Sequence, residues 1–515
     1  MLTQRNWKCF ASSLWLLVVS NAPLFAPTQA SATTRVTVAV TETIASVNPY
    51  ADSVLLMYNV WCQTYGCMTR YESATQSYTS DFFESWKVED PNTWVFTMKP
   101  GLKRHNGEPV VPEDFVHSIN RIKTDPQSRQ AYHVSGVKEV QVRDARTIVI
   151  KTSKPAAPLL DYLIFVIVTS KAQWDAHGRD ADREFPYGIG PYKLKKVVID
   201  NYIVLEKDPT NLMVTPDNPD ELVFQIMREP EQRVTALFNG EVQIAQFIPP
   251  HLVARVQENP AMKIAMSDTV EAMFVAMSPL YPPFDNKEVR QAVAYAIDRD
   301  TIIKRILQGQ ATKLDAPVGP GQVGYTPDIQ PKYTYHPAKA RELLKKAGYP
   351  NGVAVDFYAT AGRYTLDKIL CEAIAQMLTK VGFQVNLKTP EWSTLWANVQ
   401  KGGVPFYYMG RGTIIDPSAM LQQYFGTGGS PRIGYSNPEL DKLLVKERET
   451  FDHEARMKVL QQAMSLINEE APAFFLWRHQ WAWGLSKTID FQPDVTGDMW
   501  GWKIKVSADR SKSGG

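Results

Sequence analysis

The 515-residue chain has little histidine, few cysteines, no long hydrophobic run and no excess of charge of either sign. Each shortage removes a class of function. With 56 Lys and Arg against 54 Asp and Glu, the formal charge is +2, and no basic stripe of the nucleic-acid-binding kind is present. The longest apolar run past the N-terminal region, "LLDYLIFVIV" (159–168), is ten residues and contains Asp161. It is too short to cross a bilayer and reads as a buried element. Nucleotide fingerprints are missing. "GIGPYKL" (188–194) has two glycines followed by Pro191, and "GTGGSPRIG" (426–434) lacks both a preceding strand and a phosphate-loop lysine. There is no G-x-S-x-G elbow for a nucleophilic serine. The best metal candidate is His105 with Glu113 and His117, four apart on one helix face. A zinc site wants three or four converging ligands, and here the acids already make sense as first-turn helix residues, so no metal or cofactor is expected.

What is present begins with a secretory pattern. Arg5 and Lys8 precede a short apolar core, "FASSLWLLVV" (10–19), and "PTQASA" offers small-residue cleavage sites after Ala30 or Ala32. Residues 1–32 therefore read as a signal peptide and predict export to a periplasm or an equivalent exterior. Cys9 precedes the apolar core, the wrong side for lipid attachment. In an oxidising compartment, the nearby Cys62 and Cys67 of "WCQTYGCMTRY" suggest one disulfide, which five-residue spacing permits across a turn but not along a regular helix. Cys371, on the apolar face of "LDKILCEAIAQML", is expected to stay a buried thiol.

Strand and helix signals interleave along the whole chain. Val36, Val38 and Val40 alternate as in a half-buried strand. Residues 92–110 read as two strands joined at Pro100-Gly101, with a second turn at Asn106-Gly107. A helix follows from Pro112, and 138–152 form a hairpin turning at Asp144-Ala145. The second half is richer in helices: 284–298 with Asp285 as cap, 336–348 between Pro337 and Gly348, a long one ending at Gly382, and two more after 437. The interleaving points to α/β, or α+β, with several domains. No long linker separates them, which fits lobes joined by several crossings of the chain.

One stretch is more specific. In "TWVFTMKPGLKRHNGEPVVPEDFVHSINRI", the residues Trp94, Phe96, Lys99, Gly101, Lys103, His105, Gly107, Pro109, Asp114 and Ser118 match a hallmark of the bacterial extracellular solute-binding proteins of family 5, which this chain resembles. Arg104 stands where that family usually has an aromatic. "GIGPYKL", "PPFDNKEVRQAVAYAIDRDTII", "HPAKARELLKKAGYPNG" and "GYSNPELDKLL" resemble further elements of the family in the right order. The resemblance implies a two-lobed periplasmic binding protein with an additional inserted domain. Lobe I would comprise 33–77, 185–272 and 482–506, the inserted domain II 78–184, and lobe III 273–481, leaving 507–515 as a tail. It also implies a receptor, not an enzyme, that delivers a peptide or peptide-like solute to an ABC permease in the inner membrane by lobe closure, as a monomer. Nickel- or haem-type receptors belong to the same broad group, but no clustered His or Met ligands point to them. A secreted hydrolase is the alternative of another class, and no nucleophile–base or carboxylate pair is evident for it.

Peptide-binding members line their cavity with a G-W-x-x-D-x-x-[DE]-P segment whose first aspartate holds the peptide ammonium. Here the matching stretch is "MGRGTIIDP". Asp416-Pro417 and Gly410 fit, Arg411 stands in place of the tryptophan, and Thr413 or Ile414 replaces the ammonium-binding aspartate. A guanidinium buried between glycines needs an acidic partner, in the ligand or in the protein, where Asp416 is the nearby choice. The departure favours a solute with an acidic group, such as an opine or a sugar phosphate as alternatives to a peptide. Arg363 of "TAGRYTLDK" lies near where dipeptide members hold a ligand carboxylate. Trp392, Trp396 and Tyr408 are candidate aromatic walls, and Asp416 completes the expected ligand-binding set.

Overall fold

Val36, Val38 and Val40 do form a strand, Arg35–Val40, but it is flanked by parallel neighbours, Glu221–Ile226 and Ile244–Ala245. The expected alternation holds from Arg35, exposed, through Thr37, half-buried, and breaks at Ala39, which is as buried as the valines. The computed structural model describes residues 33–507 apart from 43, 45, 53, 361, 413 and 414. The signal segment 1–32, the tail beyond 507, and Thr413 and Ile414 lie outside the described residues.

The strand just described belongs to a 12-stranded sheet that runs through the molecule. One half also contains the antiparallel pair Tyr192–Val198 and Tyr202–Lys207 and the strand Met262–Asp268. The other half is built from Ala272–Met277, Phe406–Arg411, Val353–Tyr358 and Phe383–Lys388. A single 14-residue strand, Ala473–Ser486, joins the halves. Its first part pairs with Ala272–Met277 and its second with Met262–Asp268. The backbone therefore crosses between the two lobes side by side at 268–272 and 478–480. At this crossing Arg478 is buried and pairs with Asp268.

A separate four-stranded antiparallel sheet, in the spatial order Phe83–Asp90, Thr93–Met98, Thr147–Thr152 and Val137–Asp144, carries the helix Pro112–Thr124. The turn at Asp144-Ala145 is as expected. The second strand expected in 99–110 is not formed: after Pro100-Gly101 only a lone bridge between Lys103 and Pro109 remains. Arg104 is buried there and pairs with Asp114 at 2.9 Å, which in turn accepts the backbone N–H groups of Val111 and Lys171. Asp114 thus holds both the helix start and the guanidinium. His105 is spent on the Gly190 carbonyl, 2.9 Å away.

Helix starts follow their capping chemistry with one change of residue. Helix Lys287–Ala296 is capped by Asn286, which accepts from the Glu288 N–H at 2.8 Å, and not by Asp285 one position earlier. Helix Leu55–Tyr65 ends at Gly66, whose positive φ of 95° turns the chain back on itself. That turn brings Cys67 to a Cα separation of 4.8 Å from Cys62, and the two are disulfide-bonded, while Cys371 is a buried free thiol. Among the described residues no helix is long and apolar enough to cross a membrane.

Candidate functional site

The strand Phe406–Arg411 ends with Arg411 at a cavity of about 430 Å3. Arg411 is half-buried, and its Nη1 donates to the Gly412 carbonyl at 2.8 Å. Asp416 does not partner it. Both Asp416 oxygens accept from Arg456, at 2.6 and 3.0 Å, and Oδ1 also caps Ser418. Arg456 additionally holds Glu447, so Asp416 sits in a buried ionic cluster that ties helices Ser418–Phe425, Pro438–Glu449 and His453–Glu470 together.

Three guanidiniums line this cavity: Arg363, Arg411 and Arg432. The Arg363 loop is wound about Asp367, which accepts the backbone N–H groups of Gly362, Arg363 and Tyr364 at 2.9–3.0 Å. Its guanidinium lies 5.3 Å from the Trp392 ring, Trp392 stacks on Trp396 at 5.5 Å, and Arg432 covers Trp396 at 4.7 Å. The i, i+4 tryptophan pair is thus both helix packing and cavity wall, clamped between two cations. Tyr408 takes no part in the wall. It is fully buried in the second lobe's core, one residue out of phase with the cavity-lining Met409.

Glu271, at the lobe crossing, is the sole carboxylate among the described residues that line the cavity. It is shared with an adjoining cavity of about 280 Å3 that reaches Trp481 and His479 on the joining strand. Burial pushes its carboxyl up, against the pull of Arg363. A side chain at Gly410 would displace its neighbours: a Cβ there would stand 2.7 Å from Glu271 Oε1 and from Met273 Sδ. The glycine leaves room for the ends of these two side chains.

The inserted domain reaches the same cleft through Tyr132, which lines the Arg411 cavity, and His133. Burial first, and the Arg411 charge second, push the His133 imidazole down to about 4. Its ring stacks on Phe165 at 4.1 Å. Larger concavities lie elsewhere, one of about 790 Å3 lined by Lys193 and Lys195 of the first lobe with Arg183 of the insertion. The Arg411 cavity collects side chains from both lobes and the insertion.

Of the expected residues, the structure brings together Arg411, Arg363, Trp392 and Trp396, and leaves Tyr408 and Asp416 in the scaffold. Sequence reasoning missed Arg432, Glu271 and His133. Arg432 lies inside "GTGGSPRIG", whose glycines carry a signal of close approach. Glu271 and His133 are isolated polar residues with no spacing to mark them.

The family model for "Bacterial extracellular solute-binding proteins, family 5 Middle" matches residues 77–432. The dipeptide-binding protein of Escherichia coli (strain K12) is 27% identical over 448 residues, covering 80% of this chain and 83% of the relative. The glutathione-binding protein GsiB of Pectobacterium atrosepticum is 26% identical over 491 residues, covering 92% and 93%. Among solved structures, HbpA2 from Haemophilus parasuis superposes with a TM-score of 0.84 at 21% identity over 92% of this chain and all of that one. AgaA of A. tumefacien R10 in complex with agropinic acid gives 0.69 at 24% identity, over 92% and 99%. The two-lobed architecture with an insertion, the interlobe cleft and the match across most of its length agree: this chain belongs to the bacterial extracellular solute-binding proteins of family 5.

Proposed function

We propose that this solute-binding protein of the ABC importer type takes up a small peptide or peptide-like solute carrying an acidic group, encloses it between its lobes, and presents it to a permease. The observation that carries the reading is the set of three arginines around one cavity with a single carboxylate, Glu271. A cavity so lined is electropositive, and planar guanidiniums match carboxylate or phosphate in a bidentate way. Arg411 stands where peptide-binding relatives place an aromatic, and the ammonium-binding aspartate has no counterpart there. Glu271, immediately before the strand Ala272–Met277 that pairs with Phe406–Arg411, offers a carboxylate in the same cavity. The solute then places its acid at Arg411 and its amine toward Glu271.

Relatives named for dipeptides and glutathione support the peptide reading, since both solutes carry carboxylates beside an amine. An opine is the second reading, favoured by the similarity to the agropinic acid complex. Among the described residues no nucleophile–base pair lines the cavity, which is consistent with delivery without chemistry. Isothermal titration against dipeptides, glutathione, an opine and a sugar phosphate tests it. Binding confined to acidic members supports the proposal. Binding only of neutral or cationic solutes sinks it, and a sugar phosphate or opine alone replaces the peptide.

A further inference from the structure

A second chamber of about 80 Å3 is lined by Phe165, on whose ring His133 stacks. Its lining comes from all three parts of the fold: Tyr58 and Tyr71 from the first lobe, Phe165 from the insertion, and Val270 and Ile415 from the crossing and the second lobe. The wall is apolar but for the tyrosine hydroxyls, Thr496 and one carboxyl group, Asp498, which is 5% exposed. Its Oδ1 is buried and finds no hydrogen-bond partner among the described residues.

The proton count fixes what that oxygen is. Thr496 Oγ1 touches both Asp494 Oδ1 and Asp498 Oδ2, yet a hydroxyl has one proton to give. Asp494 also faces Lys503 at 3.5 Å and accepts the Thr496 N–H, the surroundings of an ionised acceptor. With the hydroxyl proton given to Asp494, the contact between Thr496 and Asp498 needs a proton from Asp498 itself. Asp498 is then a neutral acid, bonded through Oδ2–H, with Oδ1 left as a buried carbonyl-type acceptor in the wall of an apolar chamber. Burial and the neighbouring Asp494 act in the same direction, pushing this carboxyl up to about 8. An orphaned buried acceptor costs stability, so it calls for a donor that arrives from elsewhere.

We infer that this chamber is a second solute subsite, which receives an apolar group of the solute tipped by an N–H or O–H donor and pairs that donor with Asp498 Oδ1. The inference rests on the solute-binding reading above and adds to it the group that the solute carries away from its acid. The volume is several times that needed by one water and suits one small ring or short chain.

The test uses three neutral probes of similar shape, phenol, aniline and toluene, titrated by NMR into the full chain and into Asp498→Leu. Phenol and aniline should bind the wild type roughly five- to tenfold tighter than toluene, the ratio expected of one hydrogen bond. In Asp498→Leu that preference should vanish while toluene still binds. Equal binding of toluene and phenol to the wild type, or a preference that survives in Asp498→Leu, overturns the subsite. Should the leucine variant not fold, the carboxyl 13C shift of Asp498 in the wild type answers instead: it should move with phenol and not with toluene, and no movement with phenol overturns the inference. A dipeptide pool run in parallel separates the two readings. Dipeptides refused while phenol is preferred removes the peptide solute and keeps the subsite. Dipeptides retained while toluene equals phenol does the reverse.

Discussion

Replacing Arg411 by alanine removes a cation from a cavity that closure of the lobes would dry. Losing one partner of a buried, hydrogen-bonded charge pair costs about 2–5 kcal/mol in binding. Two features of the structure place the expected loss at the lower end. Arg411 is half-buried before solute arrives, and Arg363 and Arg432 remain to share the solute's charge. An affinity loss of about 2–3 kcal/mol, roughly 30- to 150-fold, is therefore expected by isothermal titration with the acidic solute that binds best. Arg411→Lys should recover only part of it, because an ammonium lacks the planar fork. The apo protein should melt within a few degrees of the wild type, since Arg411 is half-buried at the cavity and outside the cores of the lobes. A second readout comes from His133. With the Arg411 charge gone, its imidazole should titrate above about 4, though burial, the larger cause, still holds it below the ordinary value. Unchanged affinity together with an unmoved His133 titration would refute the reasoning, because the arginine would then face neither the solute nor the cleft.

Other parts of the account are open to equally direct checks. Arg456→Ala should destabilise the protein by about 3–5 kcal/mol in denaturant unfolding, because Asp416 and Glu447 would both be left buried without their cation; a loss below about 1 kcal/mol contradicts that role. Asp498 has a raised pKa in the fold, so its stability contribution is complete below the unfolded value near 3.8 and is lost as pH rises toward about 8. Asp494, Lys503, Arg70 and Tyr58 are the charged and titratable groups around it. Asp498→Asn removes this loss, which grows by at most about 1.4 kcal/mol per pH unit, so its melting temperature should gain on the wild type between pH 4 and pH 8; a constant difference argues against the buried neutral acid. Thiol titration of unreduced, denatured protein lacking residues 1–32 should find one reactive group, Cys371, and three would deny the bridge between Cys62 and Cys67.

Much of the fold was legible because local rules and tertiary packing agree. The Asp144-Ala145 hairpin, the helix from Pro112 and the helix from Pro337 lie where turn and cap residues place them. Misreadings arose where a distant neighbour decided the outcome. Arg35–Val40 is placed in the interior of the sheet by pairing on both edges with strands about 190 and 210 residues later, which alternation within six residues cannot reveal. Residues 99–110 lose their second strand because Arg104 and His105 are drawn to Asp114 and Gly190. The site divides in the same way. Arg411 and Arg363 stood out by their glycine neighbours and by family position. Asp416, equally prominent in sequence, is claimed by Arg456 some 40 residues on. Glu271, Arg432 and His133 come from three separate segments, and only the crossing of the chain between lobes assembles them.

Native mass spectrometry of the protein purified from its host without refolding tests the central claim most directly. The account predicts a co-purified solute of defined mass that fragments as a small peptide or peptide-like molecule with a carboxylate or phosphate. It predicts also that the same mass returns intact after prolonged incubation with excess protein. A neutral or cationic solute, or one converted to products by the protein, contradicts the account.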